Sequence, residues 1–226
     1  MIQNEEIQFY NLIKNNCNII FDIGCREDID YIKISPLKEF HLFEPNPIFY
    51  KKCKEKLGVF NKKIFLNNYG LGNKTESIGY YNDSQSFIKR KTHFISKSKS
   101  VLLKIVEFSE YLNKNNISKI DFIKIDTEGF EPNILTNNIK FIKNNVQYVQ
   151  FEYASTWLDN KDCLDLSEII DIYNNEYDFY FLLDKNHPIS KYTSKLLNEI
   201  ITKKQIDIIN YYMKHAYGFN IVMIRK

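Results

Sequence analysis

The stretch Asn18-Ile19-Ile20-Phe21-Asp22-Ile23-Gly24 decides the fold. A short, continuous apolar run that ends in Asp and Gly is the pattern of a parallel strand covered on both faces and feeding a tight turn. Downstream, Glu39-Phe40-His41-Leu42-Phe43-Glu44 reads as a second strand, stopped by Pro45-Asn46-Pro47, and Pro47 suits the start of a helix running to Leu57. A third run, Lys63 to Gly70, leads into the alternating stretch Thr75 to Tyr81, which predicts a strand and an appended hairpin. Beyond the polar segment Asn82 to Ser100 come a short strand, Val101 to Val106, a helix, Glu107 to Asn116, and the apolar run Ile120 to Ile125, which stops at Asp126. Val146 to Phe151 repeats that pattern and stops at Glu152. An amphipathic helix at Leu164 to Tyr173 and strands at Tyr177 to Leu183 and Asn220 to Ile224 complete the series, with a helix at about Lys203 to Lys214 inside the stretch Asp184 to Phe219. Strands alternating with helices predict an α/β fold with a doubly wound sheet.

The chain has 226 residues and no repeat or Pro/Ser-rich linker, so one domain over 1–226 is expected: a core at about 18–183, the last strand at 220–224, and a variable insert at 184–219. No apolar run reaches the length that spans a bilayer, and MIQNEEIQFYNLIKNN carries acids where a signal peptide would be basic and then apolar. The expected location is the cytoplasm. The cysteines Cys17, Cys25, Cys53 and Cys163 are widely spaced and read as reduced thiols. A net charge of +3 does not call for a nucleic-acid partner.

In open α/β sheets, ligands bind beyond the carboxyl ends of the strands. Those ends are acidic here: Asp22, Glu44, Asp126 with Glu128 and Glu131 just after it, and Glu152. Any one of them alone could be a cap. Together at one rim they point to a site. Glu44 falls 20 positions after Gly24, where nucleotide-binding α/β proteins place the acid that holds a ribose hydroxyl. The intervening loop, Gly24-Cys25-Arg26-Glu27-Asp28, lacks the further glycines that let a backbone approach a pyrophosphate, and its two carboxylates would repel one. S-adenosylmethionine, which has no phosphate and carries a sulfonium and an ammonium, suits this acidic rim.

Four segments, Phe21-Asp22-Ile23-Gly24, His41-Leu42-Phe43-Glu44-Pro45-Asn46-Pro47, Asp121 to Glu131 and Val149-Gln150-Phe151-Glu152-Tyr153, resemble in order and spacing the motifs of FkbM-type methyltransferases. The resemblance spans about Asn18 to Ser155, with a weaker echo at Phe219-Asn220-Ile221-Val222. It implies a Rossmann-like class I methyltransferase fold of seven strands, mostly parallel with an antiparallel last strand, that uses S-adenosylmethionine on a hydroxyl of a carbohydrate, glycoconjugate or natural product. By that resemblance Asp22, Gly24 and Cys25 line the methionine part and Glu44 holds the ribose. Pro45 and Asn46 lie near the adenosine, Asn68, Tyr69 and Gly70 border the adenine, and Asp126 faces the methyl group. The family's first loop usually continues as G-A-N-x-G, whereas Cys25-Arg26-Glu27 stand here.

Methyl transfer from a sulfonium is an in-line displacement, so positioning supplies much of the catalysis, and a sugar hydroxyl must also lose its proton. Asp126 is the candidate base, expected in a dry, acid-rich pocket, with Glu128, Glu152 and Glu131 in reserve. Alternatively Asp126 and Glu152 hold Mg²⁺ beside the acceptor oxygen. Glu131 is also a candidate acceptor contact, although Pro132 beside it suits a structural place in the first turn of a helix. Within the basic, aromatic segment Ser84 to Lys104, Arg90 and His93 are the candidate acceptor-binding residues. The other histidines, His41, His187 and His215, are expected to pack or face water. Asn46-Pro47-Ile48-Phe49 superficially matches the N-P-P-F/Y loop of amino-methylating enzymes. That loop belongs after the fourth strand, where this chain has Asp126-Thr127-Glu128-Gly129, so oxygen is the expected acceptor. A second reading is a catalytically inactive methyltransferase-fold module that binds RNA or an anionic glycan.

Overall fold

A computed structural model describes residues 5–35, 38–58, 63–80, 101–154, 156–157, 164–182, 206–207, 211 and 218–226. The first quoted stretch forms β1 (Ile19–Ile23), and the strands that follow are β2 (Glu39–Phe43), β3 (Lys63–Asn67), β4 (Gly70–Gly72), β5 (Glu76–Tyr80), β6 (Val101–Glu107), β7 (Ile120–Ile125), β8 (Val146–Tyr153), β9 (Tyr177–Leu182) and β10 (Phe219–Arg225). Seven of them make one sheet in the order β3-β2-β1-β7-β8-β10-β9. The pairs β3–β2, β2–β1, β1–β7 and β7–β8 are parallel, and β10 runs antiparallel to both β8 and β9. This is the mostly parallel, doubly wound α/β sheet with an antiparallel last strand.

Both faces of the sheet are dry, as the continuous apolar runs require. On one face Phe21, Ile23, Phe43, Ile123, Ile125 and Phe151 pack beneath α4 (Phe108–Lys114), α5 (Glu131–Asn137) and α7 (Leu166–Tyr173), with α6 (Ile139–Asn145) following α5 along the chain. On the other, Ile20, Phe40, Leu42 and Phe122 meet Ile7, Phe9, Tyr10 and Ile13 of α1 (Glu5–Ile13) and Tyr31 and Ile32 of α2 (Asp30–Ile34). Each such apolar side chain contributes roughly 1.5–3 kcal/mol on full burial. α7 starts at a full capping box, in which Asp165 accepts from the Glu168 N–H and Glu168 accepts from the Asp165 N–H. The remaining helix, α3 (Pro47–Leu57), begins with Pro47 behind its N-cap Asn46, whose Oδ1 accepts from the Ile48 N–H at 2.9 Å.

Two expected boundaries differ. The run Lys63 to Gly70 splits, because Asn68-Tyr69 carries the chain off the main sheet into a small side sheet ordered β4-β6-β5, and the anticipated hairpin is replaced by a single strand, β5, that pairs with β6 and not with β4. β8 does not stop at Glu152. It continues to Tyr153, because β10 pairs Asn220 with Glu152 and Phe219 with Tyr153. The predicted helix at Lys203 to Lys214 and most of the stretch 184–219 lie outside the described residues.

Candidate active site

The carboxyl ends of β1, β2 and β7 are laced together by backbone bonds. The Asp126 N–H donates to the Ile23 carbonyl (2.9 Å), the Gly24 N–H to the Phe43 carbonyl (2.9 Å) and the Glu44 N–H to the Asn67 carbonyl (3.0 Å). At Gly24, φ is +87°, and a Cβ placed there would lie 1.8 Å from the Asp126 carbonyl oxygen, so only glycine lets the two strand ends come this close. Over this junction opens a cleft of ≈ 530 Å³, part of it open to solvent. Gly24, Arg26, Glu44, Asp126, Thr127 and Glu128 give its polar wall, and Phe49, Leu71, Tyr80, Ile105 and Phe130 much of its apolar one. Arg26 and Glu128 hold positive φ values of 50° and 57°. Non-glycine residues in that region carry strain that gathers at functional sites.

Glu44 is buried, and its carboxylate is aimed by two backbone donors, the Arg26 N–H on Oε2 at 2.9 Å and the Asn46 N–H on Oε1 at 2.7 Å. Burial nevertheless pushes its pKa up to about 7. Arg26 also places its guanidinium 4.8 Å from the centre of the Phe49 ring, and the two form one wall of the cleft.

Below the rim lies a polar row. Asp22, Lys124 and Gln150 stand in register on β1, β7 and β8, all buried. One step past the last β7–β8 pair, Ile125 with Phe151, Asp126 and Glu152 stand side by side. The Lys124 Nζ lies 3.0 Å from Asp126 Oδ2 and 3.9 Å from Asp22 Oδ1. Burial opposes the Lys124 charge, but Asp126, Asp22 and Glu6 outweigh it and hold the ammonium well above the usual lysine range. Burial pushes Asp22 up to about 7, and among the described residues its Oδ1 accepts no hydrogen bond. Burial, then the neighbouring Asp126, Glu131 and Glu128 charges, push Glu152 far above the usual carboxylate range.

A family model described as "Methyltransferase FkbM domain" matches residues 25–183. The chain belongs to the FkbM methyltransferase family. It is 23% identical over 134 residues to the hexuronic acid methyltransferase AglP of Haloferax volcanii, a match covering 59% of this chain and 54% of that relative. A putative methyltransferase from Streptococcus mutans, SMU.1697c, solved in complex with SAH, shares the fold with a TM-score of 0.50 at 13% identity, over 100% of both chains. An FkbM methyltransferase from Methylobacillus flagellatus has a TM-score of 0.48 at 14% identity, with 74% of this chain and 40% of that one covered. This FkbM chain thus spans about half the length of AglP.

Of the residues singled out in the sequence of this FkbM protein, Gly24, Glu44, Pro45, Gly70, Asp126 and Glu128 line this cleft. Others belong to its frame. Cys25 is buried against Cys53, and Asn46 caps α3. The Asn68 side-chain amide donates to the Glu44 and Pro45 carbonyls, at 2.9 and 3.2 Å, and the Tyr69 hydroxyl donates to Asn67 Oδ1 at 2.9 Å. Asp22 and Glu152 lie under and beside the rim. Asp126 is not in dry surroundings: its side chain is 32% exposed, and dryness belongs to its neighbours.

Glu131 as an acceptor contact is overturned. It is fully buried and takes four donors, Thr127 N–H and Oγ1–H on Oε1 and Gly129 N–H and Trp157 Nε1–H on Oε2, at 2.6–2.9 Å. It clamps the loop after β7. Arg90 and His93 lie outside the described residues. His41 is packed, its Nδ1 2.7 Å from the Tyr111 hydroxyl and its ring stacked on Phe65. Cys17, Cys25 and Cys53 are free and buried. Among the described residues no group of three or more His, Cys, Asp or Glu is arranged to hold a metal ion, and no helix is long and apolar enough to cross a membrane. Arg26, Phe49 and Tyr80 were not singled out in the sequence as site residues, since only the turn after β1, the first turn of α3 and the side sheet bring them to one cleft.

Proposed function

We propose that this protein is an S-adenosylmethionine-dependent O-methyltransferase acting on a hydroxyl of a carbohydrate or glycoconjugate. The observation that carries the reading is the cleft itself, in which the buried, backbone-aimed Glu44 of the β2 end shares one cavity with Gly24 and Asp126. The residues fit the cofactor. Glu44 would accept the ribose hydroxyls, the apolar wall suits the adenine, and the orphaned buried Asp22 Oδ1 suits an ammonium group. When bound, the cofactor supplies an electrophilic methyl group.

The chain's own residues align the acceptor and handle its proton. Asp126, at the cleft wall, takes the proton of the attacking hydroxyl, and Glu152 beside it is held by burial and by the neighbouring acids far above the usual carboxylate range. A sugar acceptor accords with the hexuronic acid substrate in the name of the AglP relative.

The test is transfer of labelled methyl from S-adenosylmethionine to a panel of neutral and uronate-bearing oligosaccharides, with RNA as the competing acceptor. The expected product is an O-methyl sugar, with turnover falling about 100-fold in Asp126→Asn while S-adenosylhomocysteine still binds. Label appearing in RNA alone would contradict the acceptor class. Unchanged turnover in Asp126→Asn would contradict the base.

A further inference from the structure

Lys124 is a fully formed strand residue with no place in the chemistry described above, yet it is the buried cation of an acidic rim. Its side chain is 8% exposed and its ammonium reaches Asp126 Oδ2 at 3.0 Å, whereas Asp22 Oδ1 is farther, at 3.9 Å. Lys124 and Asp126 are two residues apart on β7 and its end, hence on the same face, so the lysine runs along the sheet toward the rim. The contact engages one carboxylate oxygen, and Asp126 Oδ1 takes no hydrogen bond among the described residues. Glu128, which lines the same cleft, is a like charge that would otherwise displace an unanchored carboxylate.

We infer that Lys124 is a positioning residue: it pins Asp126 by Oδ2 and thereby presents the other oxygen to the cleft, where the sulfonium of the cofactor and the acceptor hydroxyl would meet. This rests on the reading of the cleft as a methyltransferase site. A buried lysine that served only packing would leave Asp126 free to choose its rotamer, and removing its positive charge would simply make the cleft more attractive to a cation.

These two roles predict shifts of opposite sign, which calorimetry reads without an acceptor. The preference is the Kd of neutral S-adenosylhomocysteine divided by that of cationic S-adenosylmethionine, measured on the full chain as wild type, Lys124→Met, Lys124→Gln, Lys124→Arg and Asp126→Asn, and on the Lys124→Gln/Asp126→Asn double variant. With Lys124 as positioner, the Met and Gln variants lower this preference by about fivefold or more, Asp126→Asn lowers it as much, the double variant lowers it no further, and Arg restores it. The Gln variant keeps donors for the buried oxygens and carries the test should the Met variant fail to fold. A preference that is unchanged, or that rises in favour of the cation, in the folded Lys124 variants overturns the inference. Failure of the wild type to bind either compound overturns the methyltransferase reading instead.

Discussion

Gly24 shows how one residue decides whether the site can exist. With φ at +87° and a would-be Cβ 1.8 Å from the Asp126 carbonyl oxygen, Gly24→Ala must pry β1 from β7. A loss of about 2–4 kcal/mol is expected from the strain and the overpacking, read as a lowered midpoint in urea unfolding. A midpoint equal to wild type would mean that the strand ends do not approach as described. The buried acids set the pH dependence. Asp22, Glu44 and Glu131 are each pushed to about 7 by burial, from 3.8, 4.5 and 4.5 in water. Between those values the folded chain holds more protons than the unfolded one, so stability is greatest on the acid side and declines as pH rises through about 7. Thermal unfolding at about pH 5.5 and about pH 8 should give the higher melting temperature at the lower pH, with a smaller difference in Glu44→Gln. The reverse order would contradict the burial of these groups. Gly24 and Glu44 were legible in the sequence because a strand that ends in Asp-x-Gly, followed after a fixed interval by an acid, has few other uses. The left-handed backbones of Arg26 and Glu128 were not, since they are imposed by neighbours that sequence does not display.

At the scale of elements, the loop between β7 and α5 carries the main correction. Asp126, Glu128 and Glu131 look alike as acids after a strand, but the loop turns back through Glu128 and Gly129, whose φ values are 57° and 107°, and Glu131 folds under it to collect four donors. Sequence spacing shows that carboxylates are near one another. It does not show which of them points inward. Replacing Glu131 by Gln puts an amide N–H against the Gly129 and Trp157 donors, or against those of Thr127, and should cost about 2–3 kcal/mol. Chemical denaturation would register this, together with loss of binding at the cleft, which Thr127 and Glu128 line. A variant as stable as wild type would show that the clamp is not needed. The side sheet β4-β6-β5 was only half legible. The strand β5 could be seen in the alternation from Thr75, but its pairing with β6 and the parallel pairing of β4 with β6, which brings Leu71 and Ile105 to the cleft wall, are long-range contacts with no local signal.

For the whole molecule, the doubly wound sheet was readable because its central strands are covered on both faces and therefore mostly apolar, with Asp22, Lys124 and Gln150 the polar row across them. The antiparallel β10 and the extension of β8 beside it depend on pairing across the end of the chain, and so Glu152 passed for a strand terminus. The architecture gathers β1, β2 and β7 at one carboxyl edge, and the candidate site is there because the backbone ends, the buried acids and the apolar side sheet converge on one cleft. That this cleft binds S-adenosylmethionine through Glu44 is the claim on which the other proposals rest. It is tested most directly by calorimetric titration of S-adenosylhomocysteine into wild type and Glu44→Ala. Saturable one-site binding is expected in the wild type, weakened about 100-fold or more by the loss of two charge-assisted hydrogen bonds to the ribose, at about 1.5 kcal/mol or more each. Equal affinity in the two proteins, or no binding to wild type, would contradict it.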